Sequence, residues 1–279
     1  MTKSPTVRHR RLGRELRRLR EAAGLMPEAA ARQLGWSRPK VNRIENAKLL
    51  PSVVDVGHAC DLFGADSATK AGLIQLCKDA AVRGWWTAYS DVLSSSYVVL
   101  ESEAIAIRTW EPLLIPGLLQ NEEYARAIIQ AGRPGLDDTE LKRRVDARMT
   151  RKITLLGSNA PAFHALLDEG ALRRPVEPPS VMADQLGDIL QVVDRPNVTI
   201  QVLPLRAGVH SGLEGAFSVL SFGAEDPDVG YTGSPGGVVY VEAADQVRDL
   251  TLTFERLASM ALSPEKSADL IAAARSDHE

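Results

Sequence analysis

Residues 24–46, GLMPEAAARQLGWSRPKVNRIEN, decide how the rest of the chain is read. An apolar-faced helix is expected from Pro27 to Leu34, then a tight turn at Gly35-Trp36, then a second short helix starting at Ser37. That is the spacing of a helix-turn-helix, whose second helix enters the DNA major groove while the first braces it across the backbone. The Ser37 hydroxyl can cap the second helix, and Pro39 in its first turn needs no backbone donor. Val41 and Ile44, three apart, face inward and leave Arg38, Lys40, Asn42 and Arg43 to point out. Such a set suits phosphate oxygens and base edges, Arg reading guanine and Asn reading adenine bidentately. Asn42 and Arg43 are therefore expected to read bases, and Arg38 and Lys40 to touch phosphate.

Charge supports the same reading. The chain has 279 residues and a formal net charge of -3. Residues 1–48 carry 13 Lys/Arg against 4 Asp/Glu, a balance of +9, and residues 49–279 carry 20 against 32, a balance of −12. A basic end on an acidic body is expected where only that end meets phosphate; a solvated helix face from Arg8 to Arg20 is the alternative. The length allows two domains, and the ordinary apolar and charged fractions argue against disorder throughout. No apolar run approaches about 18 residues, so no transmembrane helix is expected. The Arg-rich start lacks the apolar core of a secretory signal, and a cytoplasmic protein is expected. Cys60 and Cys77, both in predicted helices and outside any CxxC, read as buried reduced thiols.

Outward from the opening stretch, residues 1–7 read as a disordered leader, and a helix from Arg8 to Ala23 places Leu12, Leu16, Leu19 and Ala23 on one face. Ala31 and Gly35 are small where the two helices of the motif are expected to approach. Pro51-Ser52 opens a fourth helix with Val56, Cys60 and Phe63 inward, and a fifth spans Ser67 to Val82. The expectation is a multidomain chain: an all-α helix-turn-helix domain of five short helices over residues 8–82, an aromatic junction over 83–93, and an α+β domain for partner binding or dimerisation over 94–279.

The segments RLGRELRRLREAAGL and AARQLGWSRPKVNRIENAKLLPS resemble the Cro/C1-type (XRE-family) helix-turn-helix. The resemblance implies that Ser37, Arg38, Lys40, Asn42 and Arg43 lie along the major groove, with Asn46 and Lys48 near the phosphate backbone, and that homodimers bind two-fold-related half-sites of double-stranded DNA. The chain departs from the family where Met26 and Pro27 replace the usual Ser or Thr and Gln, which removes a polar side chain and an N–H donor. Ala47 stands where Gly is common.

In the junction, Trp85, Trp86 and Tyr89 call for burial, either by docking the first domain or by stacking on bases. Beyond it, helices are expected at Tyr97 to Ala104, Asn121 to Ala131, Asp138 to Leu155, Ser180 to Val193, Asp245 to Met260 and Pro264 to Arg275. Strands are expected at Ala106 to Trp110, Ala162 to Leu167, Val198 to Leu203, Ala216 to Phe222 and Val238 to Glu242, with a Gly/Pro-rich loop from Gly223 to Gly237. The segments RGWWTAYSDVL, LESEAIAIRTWEPLLIPGLLQNEEYARAII, LDEGALRRP, GVHSGLEGAFSVLSF and VVYVE resemble the actinobacterial WhiJ-like regulators. In these an XRE-type helix-turn-helix is fused to a toxin–antitoxin-like antitoxin transcriptional regulator domain. The resemblance implies a regulatory pair with a small protein encoded nearby.

An enzyme would need a constellation, and none is legible. The five histidines show no metal-ligand spacing, so neither a metal nor a cofactor is expected. No GxSxG elbow, dinucleotide fingerprint or Walker loop is present. Glu169, Arg173 and His210, with Asp168, could hold a small polar ligand or form an internal salt bridge at a strand-to-loop corner. A ligand-responsive regulator with a pocket in the second domain is the rival reading.

Overall fold

The first helix owes its position to an apolar stripe on a basic helix. The computed structural model describes residues 7–81, 89, 95–157, 159–223, 226–234 and 237–279, which fall into two units, Met1–Thr87 and Ala88–Glu279. In the smaller unit, α1 (Val7–Ala22) turns Leu12, Leu16 and Leu19 inward. Val7, expected in the leader, is instead buried as its first residue, and Ala23, expected on the inner face, lies past the helix end and is exposed.

Pro27 starts α2 (Pro27–Leu34), where a missing N–H costs nothing, and Gly35 ends it with φ +67. Open space surrounds the Gly35 Cα, so glycine serves the left-handed turn there and not the close approach expected of it. A close approach is found instead between α1 and α3 (Arg38–Glu45), at Gly13. A Cβ at Gly13 would sit 2.7 Å from the Ile44 carbonyl oxygen and 2.9 Å from that of Glu45. The backbone of α1 thus rests directly on the end of α3.

Ser37 caps α3 by accepting the Lys40 N–H at 3.3 Å. Ser52 and Asp55 form a capping box at the start of α4 (Val53–Leu62), with bonds of 3.0 and 3.2 Å. With α5 (Ser67–Ala81), these helices close over Leu12, Leu16, Ile44, Val56, Cys60, Phe63, Leu73 and Cys77. Both cysteines are free and buried.

The larger unit is built on a six-stranded mixed sheet, ordered β3-β2-β1-β4-β5-β6. After α6 (Ser95–Glu103) come β1 (Ala106–Glu111), α7 (Glu122–Gly132), α8 (Asp138–Arg151), β2 (Ala162–Asp168), the one-turn α9 (Glu169–Arg173), α10 (Pro179–Val192) and β3 (Val198–Leu203). The pairs β1–β2 and β2–β3 are parallel, as helical crossovers require. Strands β4 (Phe217–Ser221), β5 (Val229–Ser234) and β6 (Gly237–Val241) add an antiparallel half. The fold class is α+β, as expected. Strand β5 corrects the loop assigned to Gly223–Gly237. Gly230 hides it, because a Cβ there would meet Leu250 Cδ1 at 2.6 Å.

Alternation along β1 separates two faces. Trp110, fully buried, points with Leu166, Phe217 and Val219 into a core closed by α11 (Ala244–Met260). Its indole donates to the Gly212 carbonyl at 2.8 Å. Thr109 and Glu111 point the other way, toward α6, α7 and α8. The last helix, α12 (Pro264–Ser276), packs on α10 and β3. The free edge of β3 is covered: Val202 N–H donates to Ser267 Oγ at 2.9 Å, and its carbonyl accepts the Leu262 N–H at 2.9 Å.

Candidate functional site

Among the described residues, two places combine positioned polar side chains with access from outside. The first is the outer face of α3. Its inner face is locked by Val41 and Ile44, at 3% and 1% exposure, and by Glu45. The Glu45 carboxylate accepts from Arg20 Nε at 2.6 Å and Nη2 at 2.9 Å, while Arg20 Nη1 donates to the Leu25 carbonyl at 2.6 Å. One buried bidentate pair therefore ties α1, the α1–α2 turn and α3 together. It also removes Arg20 from the basic surface expected from Arg8 to Arg20.

On the outer face, Ser37, Arg38, Asn42, Arg43, Asn46 and Lys48 are exposed. Ser37 is occupied as the cap, and Asn46 Nδ2 donates back to the Asn42 carbonyl at 2.7 Å, closing the helix end. Arg38 pairs with Glu28 at 2.8 Å in the open, an interaction worth about 0–1 kcal/mol and easily exchanged for a phosphate. Lys40 is more firmly held. Its ammonium lies 3.0 Å from Asp55 and 4.3 Å from the Trp36 ring centroid. Burial raises the pKa of Asp55, but Lys40 and Ser52 outweigh it and the net shift is down. The side chains of Asn42, Arg43 and Lys48 make no hydrogen bond or ion pair among the described residues. Ala47, where the family favours Gly, has φ +51, so the backbone does take the left-handed form that glycine suits.

The second place is a cavity of about 480 Å³ in the larger unit. The sheet supplies Thr109, Glu111, Ser218 and Tyr231, and α8 presents Arg144, Arg148 and Arg151 at helical spacing. Glu101 accepts from Arg151 at 3.0 and 2.7 Å. Burial works against the Arg151 charge, yet Glu101 more than offsets it and the pKa is raised. Arg148 donates to Gln120 at 2.6 Å, and Gln120 donates to the Ile115 carbonyl at 2.7 Å, fixing the loop before α7. Burial pulls Arg148 down to about 10.

Burial pushes Glu111 up from 4.5 to about 7, with Arg148 and Arg151 opposing. The folded chain then keeps a proton that the unfolded chain releases, so stability falls as pH rises from about 4.5 to about 7. Urea midpoints measured across that window should drop with pH, and Glu111→Gln should flatten this part of the profile. An unchanged slope in the variant would mean another group is responsible.

The residues expected near a ligand lie elsewhere. Glu169 pairs with Arg173 at 2.8 Å and accepts the Leu205 N–H at 2.9 Å, and Arg173 also reaches Asp277 at 2.7 Å. His210 stands 3.9 Å from Asp168, accepts the Gly212 N–H at 3.2 Å and meets the Trp110 ring edge-on. None of Glu169, Arg173 and His210 lines the 480 Å³ cavity. Of the junction aromatics, Trp85 and Trp86 lie outside the described residues, and Tyr89 stacks near Arg143. Among the described residues no cluster of three or more His, Cys, Asp or Glu could hold a metal, and no helix is long and apolar enough to cross a membrane.

Comparison with known families places both units. Residues 94–273 match a domain of unknown function, DUF5753. The chain belongs to the DUF5753 family. In this DUF5753 protein, residues 11–73 also match a helix-turn-helix domain, the fold of DNA-binding regulators. No curated protein and no solved structure matched the chain. The cavity lies wholly among residues of the DUF5753 match, and α3 wholly within the helix-turn-helix match.

Proposed function

We propose that the protein is a sequence-specific regulator of transcription that inserts the segment Ser37–Asn46 into the major groove of duplex DNA. The observation that carries this is the pairing on α3 of a fixed inner face with Asn42 and Arg43, exposed and uncommitted beside each other. Side chains that spend no energy on intramolecular partners are free to pay for base contacts. Arg38, by leaving Glu28, and Lys48 contact phosphate. Lys40 chiefly holds α3 to α4 through Asp55.

The resemblance to XRE-type and WhiJ-like regulators supports a cytoplasmic homodimer on two-fold-related half-sites, acting with a small protein encoded nearby in an antitoxin-like pair. On this reading the protein is not an enzyme. Arg43→Ala should cost about 1–3 kcal/mol of binding and relax specificity at one base pair, read by titrating single-base variants of the bound site. A loss of equal size on every sequence would contradict base readout. The 480 Å³ cavity favours a second reading, in which a small molecule bound by the DUF5753 domain adjusts DNA binding.

A further inference from the structure

We propose that the cavity of the DUF5753 domain binds a small organic anion, with an acidic head against Arg148 and an apolar body against Leu114, Ile128 and Ile129. This deepens the ligand-responsive reading and rests on it for any effect on DNA. Binding of the anion itself can be measured without DNA, so the two can fail separately.

The charges of the wall do not cancel. Arg133, Arg144, Arg148 and Arg151 line the space with only Glu101 and Glu111. Arg151 is matched by Glu101, and Arg144 by Glu140 at 2.7 Å. Arg148 has neither kind of match. Of its five donors, one goes to the neutral Gln120, and among the described residues no carboxylate comes within ion-pair distance. Arg148 lines the cavity. Glu111 compensates only in part near neutral pH, since burial pushes its pKa up to about 7. An arginine held in this way is costly to the fold, and an acidic ligand group would remove the cost by a fork-like, charge-assisted bond.

The shape fits the same ligand. The cavity's volume falls in the range of small-molecule sites, roughly 300–1,000 Å³. At Gly117 a Cβ would stand 3.3 Å from Arg151 Nη1 and 3.5 Å from Arg148 Cδ, so the loop backbone packs directly on the arginines and braces them. Thr109 and Ser218, bonded to each other at 2.9 Å, place hydroxyls on the floor. Leu114, Ile128 and Ile129 supply apolar wall. A free inorganic anion would leave that wall wet, which is why an organic body is specified.

The test is a fluorescence titration of the full chain with anilinonaphthalene sulfonate, an aromatic anion, at constant ionic strength, competed by octanoate and by inorganic phosphate. The expected result is one saturable site, weakened about tenfold or more by Arg148→Met and also weakened by Ile128→Trp, which narrows the apolar part of the space and keeps every arginine. Circular dichroism and melting of both variants serve as the control for folding; should Arg148→Met not fold, Ile128→Trp decides. Displacement by octanoate identifies a carboxylate amphiphile, and displacement by phosphate alone identifies a phosphorylated ligand. No saturable binding, or binding unchanged in folded Ile128→Trp, would overturn the proposal.

Discussion

Replacing Glu45 by Ala should destabilise the helix-turn-helix unit by about 3–5 kcal/mol, a large share of the roughly 5–15 kcal/mol that holds a domain folded. The cost comes from what remains. Arg20, 4% exposed, would keep its charge inside the unit with the Leu25 carbonyl and, 3.5 Å away, only the solvent-exposed carboxylate of Glu21. The pair need not be a net gain over apolar residues; what is expensive is breaking one half of it. The double variant Arg20→Met, Glu45→Leu should therefore recover much of the loss, and DNA affinity should follow stability. Urea unfolding, with hydrogen exchange of α1 and α3 amides to localise the effect, reads both. A loss under about 1 kcal/mol for Glu45→Ala would show that water reaches Arg20 and that the pair does not hold α3.

Glu101→Ala should be comparably severe in the larger unit, at about 3–5 kcal/mol. Glu101 is 1% exposed and holds both forks of Arg151, whose side chain is 13% exposed. Without it, Arg151 and Arg148, three apart on α8, repel each other beside a Glu111 that burial pushes up to about 7. The reversed exchange, Arg151→Met, should also destabilise, because it buries the Glu101 carboxylate alone. Calorimetry of the full chain separates this from the smaller unit if only one transition moves. A melting curve unchanged in Glu101→Ala would show that the cavity is wet enough to screen both arginines.

Much of this was legible from residue patterns. Leu12, Leu16 and Leu19, then Val41 and Ile44, mark inner faces by helical spacing alone, and Ser37 and Asn121 announce the helices they cap. The ion pair that locks α3 also left a signal that went unread. Arg20 falls four residues after Leu16 and Glu45 four after Val41, each on an apolar stripe where a charge must be paired. Strand β5 carried the opposite signal, since GYTGS has the composition of a loop, yet it pairs with β4 and β6 and lies with Gly230 against Leu250 of α11. The cavity was not readable. Arg144, Arg148 and Arg151 form a charged helix face, and spacing cannot tell a face turned to open solvent from one that lines a cavity. Which of the outward residues on α3 are free was equally hidden: Lys40 and Arg43 look alike in sequence, and only the fold gives Lys40 to Asp55.

If α3 reads DNA sequence, binding must depend on both the duplex and Arg43. Fluorescence anisotropy of the full chain on its own upstream DNA and on a scrambled duplex, over a range of salt and repeated with Arg43→Ala, tests it most directly. The expected result is tight binding to the upstream fragment that weakens with salt, with the preference over the scrambled duplex reduced or lost in the variant. Equal, weak binding to both duplexes, unchanged by Arg43→Ala, would contradict it.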